Sequence, residues 1–337
     1  MIRLSVLDQS ATSAGRSHQA TLQNAIALAQ HCERLGYHRY WIGEHHSNPT
    51  NVGPAPEILC AAVAAVTDRI RVGSAATLLT HYAPLKVAET FRVLSAIAPG
   101  RIDLGIGRAP GGAPAFVAAM NRGVPERNHN DSVDELLQWL EYNGAAPSSD
   151  DDVQAYPRDV DGPVPWMLGS TLRGAKHAAR LGLPFCFNFS NSASYGLSRE
   201  AIETYRAEFR PSRELAHPLA SLSIWTIAAE TSEEADRLFS PRAYWRAMLA
   251  RGIRVPIVDP EQTHEAIYSE DEQACIDDMR RYSLVGSASE VAKRLQSIAE
   301  EHAIDELVLL TSAYNAADQF KSYELIARAL DLRAYRS

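Results

Sequence analysis

Residues 102–112 read IDLGIGRAPGG, a short apolar run that opens into a glycine-rich loop with one arginine. Two other stretches share this design, WIGEHHS at 41–47 and MLGSTLRGAK at 167–176. Their spacing is that of successive strand-to-loop junctions in a (β/α)8 barrel, whose active sites are assembled from such junctions. The sequence therefore predicts an enzyme whose loops bind the ligand.

Short apolar runs alternate with amphipathic segments along the chain. Strands are predicted at 2–7, 40–43, 71–75, 102–107, 166–168, 185–187, 219–228 and 306–310. Helices follow most of them, at 19–35, 56–66, 84–98, 172–181, 199–209 and 319–330. This order requires parallel pairing with right-handed crossovers. Because an open doubly wound sheet usually has about six strands, we predict an α/β fold with a single (β/α)8 TIM barrel over residues 1–337.

Two stretches interrupt this alternation, 109–164 after the fourth strand and 240–284 after the seventh. The first contains a predicted helix near 132–142, and the second contains the run RAYWRAMLARG and a predicted helix at 271–282. Long loops in a compact barrel often serve as lids or binding loops. We expect both stretches to be insertions or lids within one domain, with Ser287 capping the helix that follows the second.

Composition excludes several classes of protein. The net charge of −8 offers no basic stripe for a phosphate backbone, so we expect no nucleic-acid partner. We see no N-terminal leader and no apolar run near the roughly 18 residues that a bilayer requires, which favours a cytoplasmic protein without membrane contact. The four cysteines are scattered singly, so we expect reduced thiols and no metal site.

The segment GSTLRGA at 169–175 has the character of a phosphate loop. Gly169, Ser170 and Thr171 stand where a strand ends and a helix begins, so backbone N–H groups, hydroxyls and the positive helix end converge there. An ordinary helix cap would have the same residues. Arg108 directly follows the strand IDLGIG and favours the phosphate interpretation, since a guanidinium matches a phosphate bidentately. Arg127, in PERNHN, is either a second clamp or a surface arginine.

Two further clusters complete the predicted site. The small residues of VGSAA at 72–76 would let a flat group lie against the backbone, or would simply pack the barrel rim. Glu44, His45 and His46 follow a strand, and alternation puts Glu44 and His46 on one side, so that one histidine should face the pocket. We interpret this cluster as handling or orienting a proton, with a satisfied histidine or a metal ligand as the alternatives.

The order of these motifs resembles the bacterial luciferase-like family of flavin-dependent monooxygenases. The resemblance is densest in WIGEHHS, RIRVGSAATLLTHYAPLKVAE, PGRIDLGIGRAPGG, LGSTLRGAKHAARLGLPF, YSLVGSASEVAKRL and SYELIA. It implies a (β/α)8 barrel, a homodimer, and reduced FMN (FMNH2) that a separate flavin reductase supplies. It also implies residue roles, which we carry over as follows: His45 as the catalytic histidine beside Glu44; Arg108 and Arg127 as phosphate arginines; Ser170 and Thr171, with Gly169 and Gly174, as the phosphate loop; and a non-prolyl cis peptide at Ser74-Ala75 beneath the flavin ring.

The activity that this resemblance implies is an oxygenation. Reduced flavin would react with O2 to a C4a-peroxide, which hydroxylates or epoxidises an apolar or aromatic small molecule, such as a polyketide-like secondary metabolite. Two alternatives stay open: a deazaflavin-dependent dehydrogenase or reductase on the same fold, and a flavin-binding protein without catalysis. Luciferase itself has a reactive cysteine where this chain has Gly107, so no thiol chemistry is implied.

Overall fold

The computed structural model describes residues 2–122, 128–145, 153–189 and 192–333. In chain order, the described strands are β1 (Arg3–Asp8), β2 (Arg39–Ile42), β3 (Arg71–Leu78), β4 (Ile102–Gly107), β5 (Val164–Gly169), β6 (Phe185–Asn188), β7 (Ala220–Ala229), β8 (Ser283–Ser287) and β9 (Glu306–Leu310). Strands β1 to β7 and β9 close a parallel barrel, because β9 pairs with both β7 and β1. The predicted TIM barrel is therefore confirmed.

Helices surround the barrel. They are α1 (His18–Leu35), α2 (Pro56–Ala64), α3 (Pro84–Ile97), α4 (Pro114–Met120), α5 (His129–Trp139), α6 (Leu172–Leu181), α7 (Ser192–Glu208), α8 (Ser232–Ala250), α9 (Pro260–Thr263), α10 (Glu270–Arg281), α11 (Ala288–His302) and α12 (Ala316–Ala329). No described helix is both long enough and apolar enough to cross a membrane.

Local sequence signals explain the ends of these helices. The Ser17 hydroxyl accepts from the N–H of Ala20 at the start of α1, and Gly36 ends that helix with a left-handed φ of 88°. Ser287 caps α11 as predicted, in a capping box with Glu290. Such caps satisfy the first N–H groups of a helix, which otherwise have no partner within it.

The barrel interior contains a buried charged cluster. The Arg39 guanidinium lies 2.8 Å from Asp103 Oδ2 and 2.7 Å from Glu306 Oε1, and so ties β2 to β4 and β9. Trp41 and Trp166 meet edge to face beside it, with ring centroids 5.1 Å apart. A buried guanidinium is tolerated when carboxylates pair with it, and loss of one partner from such a group is strongly destabilising.

The two interrupting stretches have more structure than the sequence indicates. After β4 the chain forms α4 as well as α5, and α4 escaped prediction because it is only seven residues long and its sequence, PAFVAAM, has no polar residues to mark a helical period. After β7, the long helix α8 runs into the predicted insertion, and the short strand β8 follows α10 there. Strand β8 pairs with the last five residues of β7, a partner that its local sequence does not indicate.

Candidate active site

The predicted site residues follow the carboxyl ends of neighbouring strands. Ile106 of β4 lies opposite Met167 of β5, so Arg108 and Gly169, each two residues further on, stand at the same height on the rim. Arg108 is exposed there, and Ser170 and Thr171 come next after β5. The guanidinium and the hydroxyl loop therefore share one edge of the barrel. Arg127 lies outside the described residues.

The loop after β5 is both a helix cap and a cluster of donors. Thr171 is the N-cap of α6, and its hydroxyl accepts from the N–H of Gly174 at 3.2 Å. The first turn of α6 contains no acidic residue, so its positive end is not neutralised there. The Thr171 hydroxyl thus has the ordinary capping role that the sequence left open, while Ser170 stands half-buried beside it.

Glu44 is the most constrained group of the site. One carboxylate oxygen accepts from the Tyr82 hydroxyl at 2.7 Å and from His46 Nε2 at 2.8 Å, and the other accepts from the N–H of Leu78 at 3.0 Å. Burial, followed by the charge of Glu44, raises the pKa of Tyr82 well above its ordinary value, so this phenol stays a donor. Glu44 therefore orients its neighbours and fixes the end of β3 against the loop after β2.

His46 connects two loops of the rim. Its ring stacks on Phe116 with centroids 4.4 Å apart, and its backbone N–H donates to the carbonyl of Gly111 at 2.8 Å. Gly111 has a φ of 68°, and a Cβ there would overlap Leu78. Because Nε2 of His46 donates to Glu44, this histidine is held in one orientation.

His45 has a different environment. Its Nε2 lies 3.2 Å from the side-chain amide nitrogen of Gln9, the residue after β1. Since an amide N–H donates, Nε2 accepts and the proton resides on Nδ1. Burial lowers the pKa of His45, and nearby His46 lowers it further, so the imidazole is neutral at neutral pH. His45 is therefore able to accept or relay a proton.

Both histidines line one cavity of about 320 Å³ at this face. The sequence predicts that one histidine faces the pocket, and both line it, because β2 ends at Ile42 and strict alternation ends with it. The lining residues are Glu44, His45, His46, Asn48, Ala109, Gly111, Gly112, Trp245, Leu249 and Arg254. Within the described ranges, no group of three His, Cys, Asp or Glu side chains could hold a metal ion.

The predicted position of the cis peptide in β3 was wrong by one residue. The non-prolyl cis peptide joins Ala75 to Ala76, one residue beyond the predicted Ser74-Ala75 bond. Ser74 stays in register with Ile42 and Leu104, its side chain is buried, and its hydroxyl donates to the carbonyl of Gly105 at 3.2 Å. The register with β4 changes only after Ser74, so Ala75 and Ala76 form the small half-buried surface of this rim.

Gly107 belongs to the same surface. A Cβ at this position would lie 2.8 Å from the Cβ of Ala76, closer than such atoms approach in proteins. Any side chain at residue 107 would therefore displace Ala76. The close packing gives a physical reason for glycine in this chain at the position of luciferase's cysteine.

A family model described as luciferase-like monooxygenase matches residues 2–306. The chain belongs to the luciferase-like monooxygenase family. It is therefore a flavin-dependent monooxygenase, and the resemblance inferred from its motifs is confirmed.

Relatives of known sequence match the chain over almost its full length. It is 34% identical over 332 residues to the N-acetyl-S-alkylcysteine monooxygenase of Bacillus subtilis strain 168, covering 98% of each chain. It is 33% identical over 334 residues to a luciferase-like monooxygenase of Escherichia coli K12, covering 98% of this chain and 97% of that one. The crystal structure of apo-MsnO8 superposes with a TM-score of 0.87 at 34% identity, covering 98% of each chain.

Sequence reasoning missed several residues of this luciferase-like monooxygenase's site. Gln9, Tyr82 and Phe116 contact the Glu44–His46 segment only through tertiary structure, and none stands in a motif with a chemical signal. Trp245 lies in the quoted run RAYWRAMLARG, whose two aromatic residues amid arginines were a usable signal.

Proposed function

We propose that this protein uses reduced FMN, delivered by a separate flavin reductase, to hydroxylate or epoxidise a small apolar or aromatic molecule with O2. One observation supports this most: Arg108 and the Ser170 loop stand at one height on adjacent strand ends, at the face that contains the His45 cavity. A phosphate tail bound at β4 and β5 leaves the β3 rim and the cavity for the ring and the substrate.

The donors at β4 and β5 have the chemistry of a phosphate monoester site. Arg108 offers a charged fork with two parallel N–H groups, which suits two phosphate oxygens. Ser170 offers a hydroxyl, and the start of α6 offers backbone N–H groups with a positive dipole. These donors fit a dianion on one edge, so we assign them, together with Gly169 and Gly174, to the FMN phosphate.

The small residues of β3 fit the flat isoalloxazine ring. Ala75 and Ala76 are half-buried on the rim and have no side chain beyond Cβ, and Gly107 allows them to pack closely against β4. A planar group can therefore approach the backbone here. Reduced FMN, when bound, would supply the two electrons that activate O2 for insertion of one oxygen atom.

The chain's own residues then control water and protons. Trp245, Leu249 and Ala109 give the cavity apolar walls, which favour exclusion of water and an apolar substrate. His45 holds its proton on Nδ1 and presents Nε2 to Gln9, so it can move a proton at the cavity wall. We infer that Glu44 positions this segment. We also infer that the described residues after β4 and near the end of α8 that line the cavity act as its lids.

The substrate is proposed from the same walls. A polyketide-like secondary metabolite would suit an apolar cavity of this size. The thioether that the name of the Bacillus subtilis relative implies would suit it too, with oxygen transferred to sulfur. Both substrates share an apolar reacting part.

We also propose a cytoplasmic homodimer. Ile58 on α2 and Val93 and Ile97 on α3 are large apolar side chains exposed on two neighbouring helices. Such a patch favours burial against a second copy. Light scattering coupled to size exclusion tests this, with Ile97→Glu expected to give monomers.

The experiment that tests the activity is an anaerobic titration with photoreduced FMN, followed by mixing with air and analysis of products. We expect saturable FMNH2 binding and one oxygen atom from ¹⁸O2 in a sulfoxide or in a hydroxylated aromatic product. Reduced deazaflavin is the matched comparison. Hydride transfer from deazaflavin without oxygen uptake, together with no product from FMNH2, would refute the proposal.

A further inference from the structure

Arg242 on α8 is a half-buried cation without a described counterion. Its Nε is buried and has no hydrogen-bond acceptor, and its guanidinium lies 4.3 Å from the centroid of the Trp225 ring. None of the Asp or Glu side chains in the described part of the chain forms an ion pair with it. Burial alone lowers the pKa of Arg242 to about 9.

Two other arginines with little exposed surface, Arg39 and Arg92, have the partners that Arg242 lacks. Arg39 has two carboxylates within 2.8 Å, and Arg92 donates to the carbonyl of Trp139 at 3.1 Å and lies 3.6 Å from Glu141. A buried charge without a partner lowers the stability of a fold. Arg242 is half-buried, and its enclosed Nε has no acceptor within the described part of the protein, so an anion from solution would complete the pair.

The space beside Arg242 is of the right size and polarity. A cavity of about 60 Å³ has room for a small head group but not for a ring. Its walls combine polar side chains with a few apolar ones, namely Gln9, Ala11, Thr50, Asn51, Leu238, Pro241, Arg242, Trp245, Ile257 and Ser312. The Ser312 hydroxyl accepts from Trp225 Nε1 at 3.4 Å and keeps its own hydrogen available.

This small cavity is adjacent to the His45 cavity. Trp245 lines both, and Gln9 lines the small one while its amide nitrogen lies 3.2 Å from His45 Nε2. A molecule with its head group at Arg242 would therefore extend its remainder toward His45. The site is separate from the phosphate donors, which follow β4 and β5, whereas Gln9 follows β1 and Ser312 follows β9.

We propose that Arg242 binds a carboxylate of the substrate, and that the substrate is a small molecule with an apolar reacting part and a carboxylate at one end. This inference rests on the proposed oxygenase function and specifies its substrate class. Arg242 acts as a specificity residue: it selects acids over their neutral esters by a charge-assisted, bidentate pair.

The test uses the FMN-loaded enzyme and compares carboxylic acids with their own methyl esters. The two acids are 3-phenylpropanoate and 4-(methylthio)butanoate. Affinity is measured by calorimetry, and melting temperature is measured on the cofactor-free protein with acetate as the smallest probe. We expect each acid to bind at least tenfold more tightly than its ester, and acetate to raise the melting temperature.

Arg242→Gln should abolish this preference and leave the affinity for the esters and FMN unchanged. It should not lower the melting temperature of the free protein, because it removes a half-buried charge that has no ion pair. Arg246→Gln, on the same helix, is the control and should keep the preference. Equal binding of acids and esters by the wild-type enzyme would overturn the inference, as would an acid preference that survives in Arg242→Gln.

Oxidation of FMNH2 by O2 without substrate is followed in the same samples. If that reaction proceeds and the acid preference is absent, only the assignment of Arg242 fails. If the protein neither binds nor oxidises FMNH2, the proposed function fails first.

Discussion

The side-chain amide nitrogen of Gln9 lies 3.2 Å from Nε2 of His45, and so the residue after β1 sets the tautomer of the histidine after β2. The two strands are neighbours in the barrel, with Asp8 opposite Ile42. A contact between adjacent strand ends thus determines which nitrogen of the proposed proton carrier is free to bear hydrogen.

His45→Ala should reduce kcat by about 10²–10⁴-fold, the usual contribution of a positioned acid or base, while FMNH2 affinity stays unchanged. The reason is that His45 lines the substrate cavity and not the β4–β5 edge. Single-turnover oxidation with product analysis measures the effect. His264→Ala, at an exposed position, is the control. Full product formation by His45→Ala would show that His45 has no catalytic role.

The pH dependence of turnover should reflect the lowered pKa of His45. Burial keeps the folded-state pKa below the ordinary 6.5, so the imidazole stays neutral as the pH falls through 6.5. A reaction that needs the neutral form therefore holds its kcat/KM at pH 6.5 and loses it only at lower pH. His45→Ala should lack this acid limb. A limb centred at or above pH 6.5 that persists in the variant would assign it to another group.

Arg108→Ala should weaken FMN binding by roughly 1.5–3 kcal/mol, the value of a hydrogen bond to a charged group. Fluorescence titration of the bound flavin measures this, and riboflavin, which lacks the phosphate, should bind the variant and the wild type equally. Arg199→Ala serves as a control, since its pair with Glu203 is a solvent-exposed contact within one helix. Unaltered FMN affinity in Arg108→Ala would exclude this arginine from the phosphate site.

Glu44→Gln should lower the free energy of unfolding by about 1–3 kcal/mol, because the NH2 group of the new amide would face a hydrogen-bond donor. Leu78 N–H, the Tyr82 hydroxyl and His46 all point at this carboxylate, and a glutamine can accept only on one side. Urea unfolding measures the loss, and exposed Glu200→Gln should show none. Unchanged stability would mean that this hydrogen-bond cluster is not formed in solution.

Gly111→Ala should be more damaging than Gly252→Ala. Both glycines have positive φ, 68° and 75°, so both substitutions cost about 1–2 kcal/mol of backbone energy. Only residue 111 adds a collision with Leu78, whereas nothing lies within 4 Å of a Cβ at 252. The difference in melting temperature isolates the collision. Equal destabilisation by Gly111→Ala and Gly252→Ala would show that the loop after β4 moves to accommodate the added Cβ without an energetic cost.

The sequence was sufficient to predict a site residue where a characteristic residue type directly follows a recognisable strand. Arg108 and the Ser170 loop were predictable, because each follows an apolar run and parallel strands end at one face. The cis peptide was misplaced by one residue, since SAAT at 74–77 offers no local distinction among its small side chains. Arg242 was not recognised as a site residue because its lack of a counterion is a property of the assembled barrel.

The cluster around Arg39 has a consequence for synthesis on the ribosome. Arg39 and Asp103 are translated first, and Glu306, which the guanidinium also requires, is translated last of the three. A nascent chain that stops before β9 would have to enclose a cation with half of its neutralising charge, or leave the barrel open to water. We expect termination products that lack β9 to be recognised by proteases, because only chains that include this strand can close the barrel.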